Sequence, residues 1–124
     1  MSGQQFECLV LNHLPRLFPL LGLDQSLVLS AAPYVQRKTE KREGCQIDLL
    51  IQTQRMLLVV EIKRRKEIKY EVVDEVAEKI RRLQHRKDLS IRTALVYDGN
   101  LAKTVPADHF FDFIIPAEKI FEVF

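Results

Sequence analysis

The sequence predicts one α/β domain in which a central mixed sheet lies between helices. Two short stretches of alternating apolar residues predict paired strands at residues 45–52 and 55–63, and segments of helical periodicity precede and follow them. With 124 residues, of which 47% are hydrophobic, the chain suits one compact core and is too short for two. The predicted order of helix, three strands, helix, strand and strand implies that helices cover both faces of the sheet.

The first predicted element is a helix over residues 4–21, because apolar residues recur there at helical spacing and Ser2 can cap the first turn. Pro15 lacks an amide hydrogen, so we expect a kink or break near residues 11–14. Gly22 is a suitable residue to end the helix.

The first predicted strand covers residues 27–36. Pro33 cannot donate a hydrogen bond to a neighbouring strand, so it indicates an edge position or a bulge. Residues 37–44 are charged and predict an exposed connection to the next strand.

The next two strands lie so close in the chain that they predict an antiparallel hairpin. A turn centred between Thr53 and Gln54 would pair Leu49 with Leu58. Because side chains alternate along a strand, one face is then entirely apolar and must be buried. This face carries Ile47, Leu49, Ile51, Met56, Leu58, Val60 and Ile62. The other face carries Leu50, Leu57 and Val59 and, at one end, Asp48, Glu61 and Lys63.

The charged end of this hairpin predicts a hydrolytic metal site. In this register Asp48 lies diagonally across from Glu61, close enough for two carboxylates to share one ion. Oxygen ligands of this kind suit Mg²⁺ or Mn²⁺. Lys63 points to the same side and could orient water or stabilise developing negative charge. The alternative is a solvated charge pair at the sheet rim, and a turn of odd length would move Asp48 to the opposite face.

The remaining elements are a second helix and two strands. Residues 64–69 predict a linker, and residues 70–87 predict a helix whose acids come early and bases late, as the helix dipole favours. Residues 91–97 predict a buried strand that ends at a turn formed by Asp98 and Gly99. An apolar run at residues 110–115 precedes Pro116 and a short terminal helix.

Composition excludes several classes of protein. No apolar run approaches the length of a membrane span and the N-terminus has no signal pattern, so we expect a cytoplasmic protein without a membrane partner. Cys8 and Cys45 offer no paired metal spacing and no disulfide framework. A net charge of +2 does not by itself indicate a nucleic-acid partner. The basic residues instead gather in three clusters, within residues 37–42, 63–69 and 81–87.

The hairpin motif resembles the core of the PD-(D/E)XK nuclease superfamily. Asp48 is followed, after twelve residues, by Glu61-Ile62-Lys63, which is similar to the Asp…Glu-X-Lys signature of that family. Ile47 stands where the family name has proline, a common departure. The resemblance implies that Asp48, Glu61 and the Ile62 carbonyl hold Mg²⁺ or Mn²⁺ and that Lys63 activates water for DNA phosphodiester hydrolysis.

The resemblance extends over residues 3–97 and implies a restriction-endonuclease-like αβββαβ core. Residues 3–7 resemble the Gly-X-X-Phe-Glu opening of the family, so Glu7 is expected to complete the site. The basic residues that follow Lys63 should meet DNA phosphates at its rim. These are Arg64, Arg65, Lys66 and Lys69.

More narrowly, residues 34–63 and 94–99 look like nuclease-like domains at the C-terminus of prokaryotic AAA-type ATPases. We therefore expect residues 1–124 to be one domain from a longer protein that also carries an ATPase domain. The size and motif order are also similar to stand-alone archaeal Holliday-junction resolvases. A non-catalytic module that binds DNA or a partner for its ATPase stays open, as does a homodimer.

Overall fold

The structure, a computed structural model that describes residues 1–121, is a five-stranded mixed sheet with helices on both faces. Its elements are α1 (Gly3–Leu11), α2 (Leu14–Leu20), β1 (Ser30–Gln36), β2 (Cys45–Gln52), β3 (Met56–Ile68), α3 (Glu71–Arg82), β4 (Ser90–Leu101), α4 (Thr104–Ala107), β5 (Phe113–Pro116) and α5 (Glu118–Phe121). Strands β1 to β3 are antiparallel neighbours, and β3, β4 and β5 run parallel. The predicted α/β architecture is confirmed, while residues 122–124 of the predicted domain lie outside this description.

The N-terminal helical region divides where the sequence predicts. Ser2 and Gln5 form a capping box, in which each side chain accepts a hydrogen bond from the other residue's backbone amide. Helix α1 ends at Leu11, and Pro15 lies in the first turn of α2, where a missing amide hydrogen costs nothing. Gly22 follows α2 with a φ of 68°, a conformation that favours glycine.

The sheet is buried on both faces by two apolar clusters. On one face Leu49, Leu58 and Val60 pack against Phe6 of α1 and Leu17 of α2. On the other face three valines of α3 pack against Leu57 and Val59 of β3 and Leu95 of β4. The three valines are Val72, Val73 and Val76. The central strand β3 is therefore covered on both sides, which accounts for its nearly continuous apolar sequence.

The hairpin register differs by two residues from the predicted one. Leu49 pairs with Val60 rather than with Leu58, because the turn is centred one residue later than predicted. The backbone amide of Thr53 donates a hydrogen bond to the Met56 carbonyl across that turn. A shift of two residues does not by itself move a side chain to the other face, so the alternating pattern could not distinguish the two registers.

A bulge in β2 places one residue on the face of the sheet opposite to the predicted one. Ala32 pairs with Leu50 but Tyr34 pairs with Ile47, so β2 contains one residue more than β1 opposite Pro33. The alternation reverses across this bulge. Ile47 therefore packs in the α3 cluster, whereas the sequence predicted that it shares a face with Leu49. The edge position and the irregularity that Pro33 predicted are both confirmed.

Several predicted boundaries are wrong. Strand β1 begins at Ser30 rather than at residue 27, because Gln25–Leu27 form a 3-10 helix, and β5 begins at Phe113 rather than at residue 110. Strand β3 continues through the predicted linker to Ile68, and β4 continues past the predicted turn to Leu101. Their parallel pairing survives a bulge there, where Gly99 has a φ of 131° and a Cβ would lie 1.7 Å from the Arg65 carbonyl oxygen. Helix α3 stops at Arg82, five residues before the predicted end at Lys87, because the next residue adopts extended backbone.

The lengths of the helices bear on membrane association. Within residues 1–121, none of them is both long enough and apolar enough to cross a membrane.

We predict that Val60→Asp unfolds the domain. Val60 is completely buried in β3, so an aspartate there would have to ionise or stay protonated in an apolar layer. The expected loss is more than about 4 kcal/mol, a large part of the stability of a typical domain. Thermal melting followed by circular dichroism measures it. Val35→Asp is the control, because Val35 is 61% exposed on an edge strand; cooperative, near-native melting of both variants would contradict the burial of Val60.

Candidate functional site

Charged side chains from three elements meet above the sheet on the α3 side. Strand β2 contributes Asp48, and β3 contributes Glu61 and Lys63. Helix α3 crosses this end of the sheet and contributes Glu75 and Lys79, one helical turn apart. The structure therefore brings the predicted carboxylates and lysine together and adds two residues that the strand pattern did not single out.

Glu61 is the centre of this cluster. Its side chain is only 4% exposed, and each carboxylate oxygen faces an ammonium. Lys79 Nζ lies 2.9 Å from Glu61 Oε1, and Lys63 Nζ lies 3.2 Å from Glu61 Oε2. Lys63 also donates to Glu75 Oε2 at 3.0 Å. These contacts confirm that Lys63 points to the same side of the sheet as Glu61.

Asp48 lies beside Glu61 and is linked to the same strand. Continued by one pair, the observed register brings Asp48 level with Glu61, and the Ile62 amide donates to Asp48 Oδ2 at 2.9 Å. Burial, and then the neighbouring Glu61 carboxylate, raise the pKa of Asp48 to about 6 from an ordinary 3.8. The Ile62 hydrogen bond and the Lys79 ammonium oppose that rise. The two carboxylates thus interact strongly.

Glu7 interacts with Asp48 more weakly than Glu61 does. It is half-buried on α1 and also raises the pKa of Asp48, although less than Glu61 does. Among residues 1–121, however, no three His, Cys, Asp or Glu side chains gather closely enough to hold a metal together. Glu7 therefore acts on Asp48 through its charge and does not form a group of three ligands with Asp48 and Glu61 within residues 1–121.

Lys79 and Glu75 are the functional candidates that sequence reasoning missed. Burial alone would lower the pKa of Lys79, but the Glu61 carboxylate more than offsets it, so the pKa is raised and the ammonium stays charged. In the sequence, Glu75 lies among the acidic residues early in α3 and Lys79 among the basic residues late in it, and the helix dipole explains both positions without a functional site. The available signal was their spacing, because residues four apart on a helix face the same way.

The donor set of this cluster is compatible with Mg²⁺ or Mn²⁺. Two carboxylates and the Ile62 carbonyl are hard oxygen ligands, and such ions are commonly held by one or two carboxylates together with water and phosphate. Within residues 1–121, Asp48 accepts a hydrogen bond only through Oδ2, which leaves Oδ1 for a cation. Glu61 has both oxygens engaged, so it would have to exchange an ammonium contact for the metal.

The four basic residues predicted at the rim have different surroundings. Arg64 forms an ion pair with Asp98 and donates to the Met1 carbonyl oxygen at 2.9 Å, so its charge is largely compensated. Arg65, Lys66 and Lys69 are exposed. Arg65 and Lys66 lie on the lengthened β3 and Lys69 directly follows it, where the sequence predicted a linker.

Comparison with known proteins adds no family assignment. No protein-family model matches the chain, and no curated protein or solved structure is significantly similar to it. The chemistry of the cluster therefore has to be argued from its own geometry.

We predict that stability falls as Asp48 ionises. The folded pKa of about 6 lies above the ordinary 3.8, so the native state holds this proton more tightly than the unfolded chain does. Ionisation between those two values therefore destabilises the fold. Asp48→Asn keeps an acceptor for the Ile62 amide and should be more stable than the parent above about pH 6, by on the order of 2 kcal/mol.

Urea unfolding of both proteins with chelator, from about pH 4 to pH 8, measures this difference. The gain of Asp48→Asn should shrink towards pH 4, where the folded carboxyl is protonated and the unfolded one is about half protonated. Asp24→Asn is the control, because Asp24 is exposed and hydrogen bonds from Ser26 lower its pKa. A stability difference between Asp48→Asn and the parent that does not change with pH would contradict the raised pKa of Asp48 in the folded state.

Proposed function

We propose that this chain is a metal-dependent endonuclease domain of the PD-(D/E)XK kind, which hydrolyses DNA phosphodiester bonds with Mg²⁺ or Mn²⁺. The observation that carries the proposal is the pair of interacting carboxylates, Asp48 and Glu61, on adjacent antiparallel strands with Lys63 3.2 Å from Glu61. The α/β fold with a mixed sheet and flanking helices supports it as well.

The residues divide the chemistry among them. Asp48 Oδ1, the Glu61 carboxylate and the Ile62 carbonyl would hold the metal, with Glu7 adding negative charge nearby. A bound Mg²⁺ or Mn²⁺ supplies Lewis-acid polarisation of the phosphodiester and lowers the pKa of a coordinated water. Lys63 holds an ammonium beside Glu61, where it can orient the attacking water and stabilise negative charge on the phosphate.

Two further side chains position this apparatus. Glu75 accepts from Lys63 at 3.0 Å and so restricts where that ammonium can move. Lys79 Nζ lies 2.9 Å from Glu61 Oε1 and so holds that buried carboxylate in place. Both contacts come from α3, so the helix fixes the geometry of the strand residues.

A second function is supported by a different observation. Both oxygens of Glu61 already contact lysines, and residues 1–121 contain no cluster of three metal-ligating side chains. A non-catalytic module that binds DNA or a partner for an AAA-type ATPase needs no metal and is compatible with such a neutralised cluster. A stand-alone nuclease similar to Holliday-junction resolvases would differ from the leading proposal in its DNA substrate.

We predict that the protein nicks supercoiled plasmid DNA when Mg²⁺ or Mn²⁺ is added and that Glu61→Gln lowers the rate by about 100-fold or more. The substitution preserves the size of the side chain while removing the charge that would hold the ion. Gel electrophoresis of timed reactions measures nicking. Glu67→Gln is the control on the same strand, because Glu67 is exposed; equal rates for both variants would contradict the assigned site.

We predict that Mn²⁺ binds without DNA and that Asp48→Asn abolishes this binding. The ion needs the Asp48 oxygen that no protein hydrogen bond occupies within residues 1–121. Titration calorimetry measures the affinity, and a rise in melting temperature with added Mn²⁺ reports the same event. Tight DNA binding by a protein that neither takes up Mn²⁺ nor nicks DNA would favour the non-catalytic module.

A further inference from the structure

A groove beside the carboxylate cluster joins two basic segments that lie far apart in the sequence. It has a volume of about 680 Å³ and is lined by the β1–β2 connection, residues 38–43, and by residues 81–87 except Arg86. The lining contains six lysines and arginines but only two glutamates. These cations are Lys38, Lys41, Arg42, Arg81, Arg82 and Lys87. The net positive charge of the groove lining is therefore larger than the net charge of +2 carried by the whole chain.

The walls of this groove are held together by Gln36, at the end of β1. Its side chain is buried, with 2% exposure for the residue, and its amide nitrogen donates to the Glu43 carbonyl at 2.8 Å and to the Arg82 carbonyl at 2.7 Å. Its amide oxygen accepts from the Gln84 amide at 2.9 Å. One buried amide thus fixes the connection against the end of α3, so the groove is formed before any ligand arrives.

Five of the six cations in the groove fall into two groups, and the sixth, Arg42, donates a hydrogen bond to the Arg37 carbonyl. Arg81 and Arg82 both contact Glu43 and Glu78, which ties the two walls together and compensates their charge. Lys38, Lys41 and Lys87 are exposed and form no ion pair within residues 1–121. Three ammoniums are therefore available to an anion, held on a frame that two arginines stiffen.

The groove continues into the carboxylate cluster. Arg82 lines it and also lines the adjoining cleft, which contains Asp48, Glu75 and Lys79. An extended polyanion lying in the groove would therefore be led along Arg82 to the carboxylates. The cluster has three carboxylates and two ammoniums, so a small negative charge faces an arriving phosphate, and the basic groove beside it offsets that repulsion.

The chemistry of the lining favours phosphates over a protein partner. Apart from Leu83, which is 6% exposed, every lining residue is polar or charged. A protein interface of useful affinity generally needs an apolar core, and this groove offers none. Lysine contacts to successive phosphates supply affinity without reading sequence, and closely spaced backbone charges match such a row of ammoniums.

We propose that this groove binds the phosphate backbone of duplex DNA, without sequence preference, and leads the strand to the carboxylate cluster. The proposal rests on DNA being the substrate of the proposed function and adds the surface that holds it. It also reassigns the main DNA contact, because the sequence alone pointed to the basic residues that follow Lys63.

The test compares two triple variants that remove the same charge from the two candidate surfaces. One is Lys38→Gln, Lys41→Gln and Lys87→Gln in the groove. The other is Arg65→Gln, Lys66→Gln and Lys69→Gln on β3 and beyond it, where all three residues are exposed. Melting curves first verify that both variants remain folded. Fluorescence anisotropy with a labelled duplex, in chelator so that no cleavage occurs, then gives affinity at several salt concentrations.

We expect the groove variant to bind DNA at least about ten-fold more weakly. The slope of log affinity against log salt concentration should decrease in magnitude by about two to three, because three phosphate contacts are lost. The β3 variant should lose clearly less. Equal losses, or a larger loss in the β3 variant, would overturn the groove assignment, as would a parent protein that binds no duplex DNA. Poly-glutamate that binds as tightly as DNA would also overturn it and assign the groove to an acidic polypeptide.

The outcomes separate this inference from the proposed hydrolysis. A groove variant that loses DNA binding, in a protein that never nicks DNA with Mg²⁺ or Mn²⁺, supports the groove while the proposed hydrolysis fails. A parent that nicks DNA, together with a groove variant that binds it normally, overturns the groove while hydrolysis stands.

Discussion

The buried Glu61 carboxylate and its two lysine partners are the interaction on which the rest of the site depends. Within residues 1–121, Glu61 is the only acidic residue that is buried, and it lies in the most covered strand of the sheet. A carboxylate taken out of water costs several kcal/mol, which Lys63 and Lys79 offset only by close contact. An apolar side chain in place of Glu61 alone would leave both lysines without this carboxylate, so the three residues act as one unit.

The bulge opposite Pro33 changes the face of Ile47 but not that of Asp48. A proline at an edge strand leaves one ladder hydrogen bond unmade, and β2 has an extra residue at this point. The side-chain alternation reverses there, which sends Ile47 to the α3 face. Asp48 keeps the face that regular alternation from Leu49 gives it, so the carboxylate pair lies where the strand pattern places it.

Helix α3 connects the carboxylate cluster to the basic groove. Its inward face supplies valines to the core, Glu75 and Lys79 contact the strand charges, and its C-terminal end forms one wall of the groove. Gln36 holds the end of the helix, because its side chain donates to the Arg82 carbonyl and accepts a hydrogen bond from the Gln84 amide. The same element therefore sets both the electrostatics of the candidate metal ligands and the positive surface that adjoins them, so a shift of α3 would disturb both.

Local sequence patterns were enough to predict which residues face each side of most of the sheet, where α1 and α2 divide, and that Asp48, Glu61 and Lys63 share a face. These features depend on strand alternation, caps and prolines, which act within a few residues. The hairpin register, the reversal at Ile47, the contacts of Lys79 and Glu75, and the closing of the groove by Gln36 emerged only from the three-dimensional fold. Those depend on side chains that meet across tens of residues, where packing rather than local periodicity selects the partner.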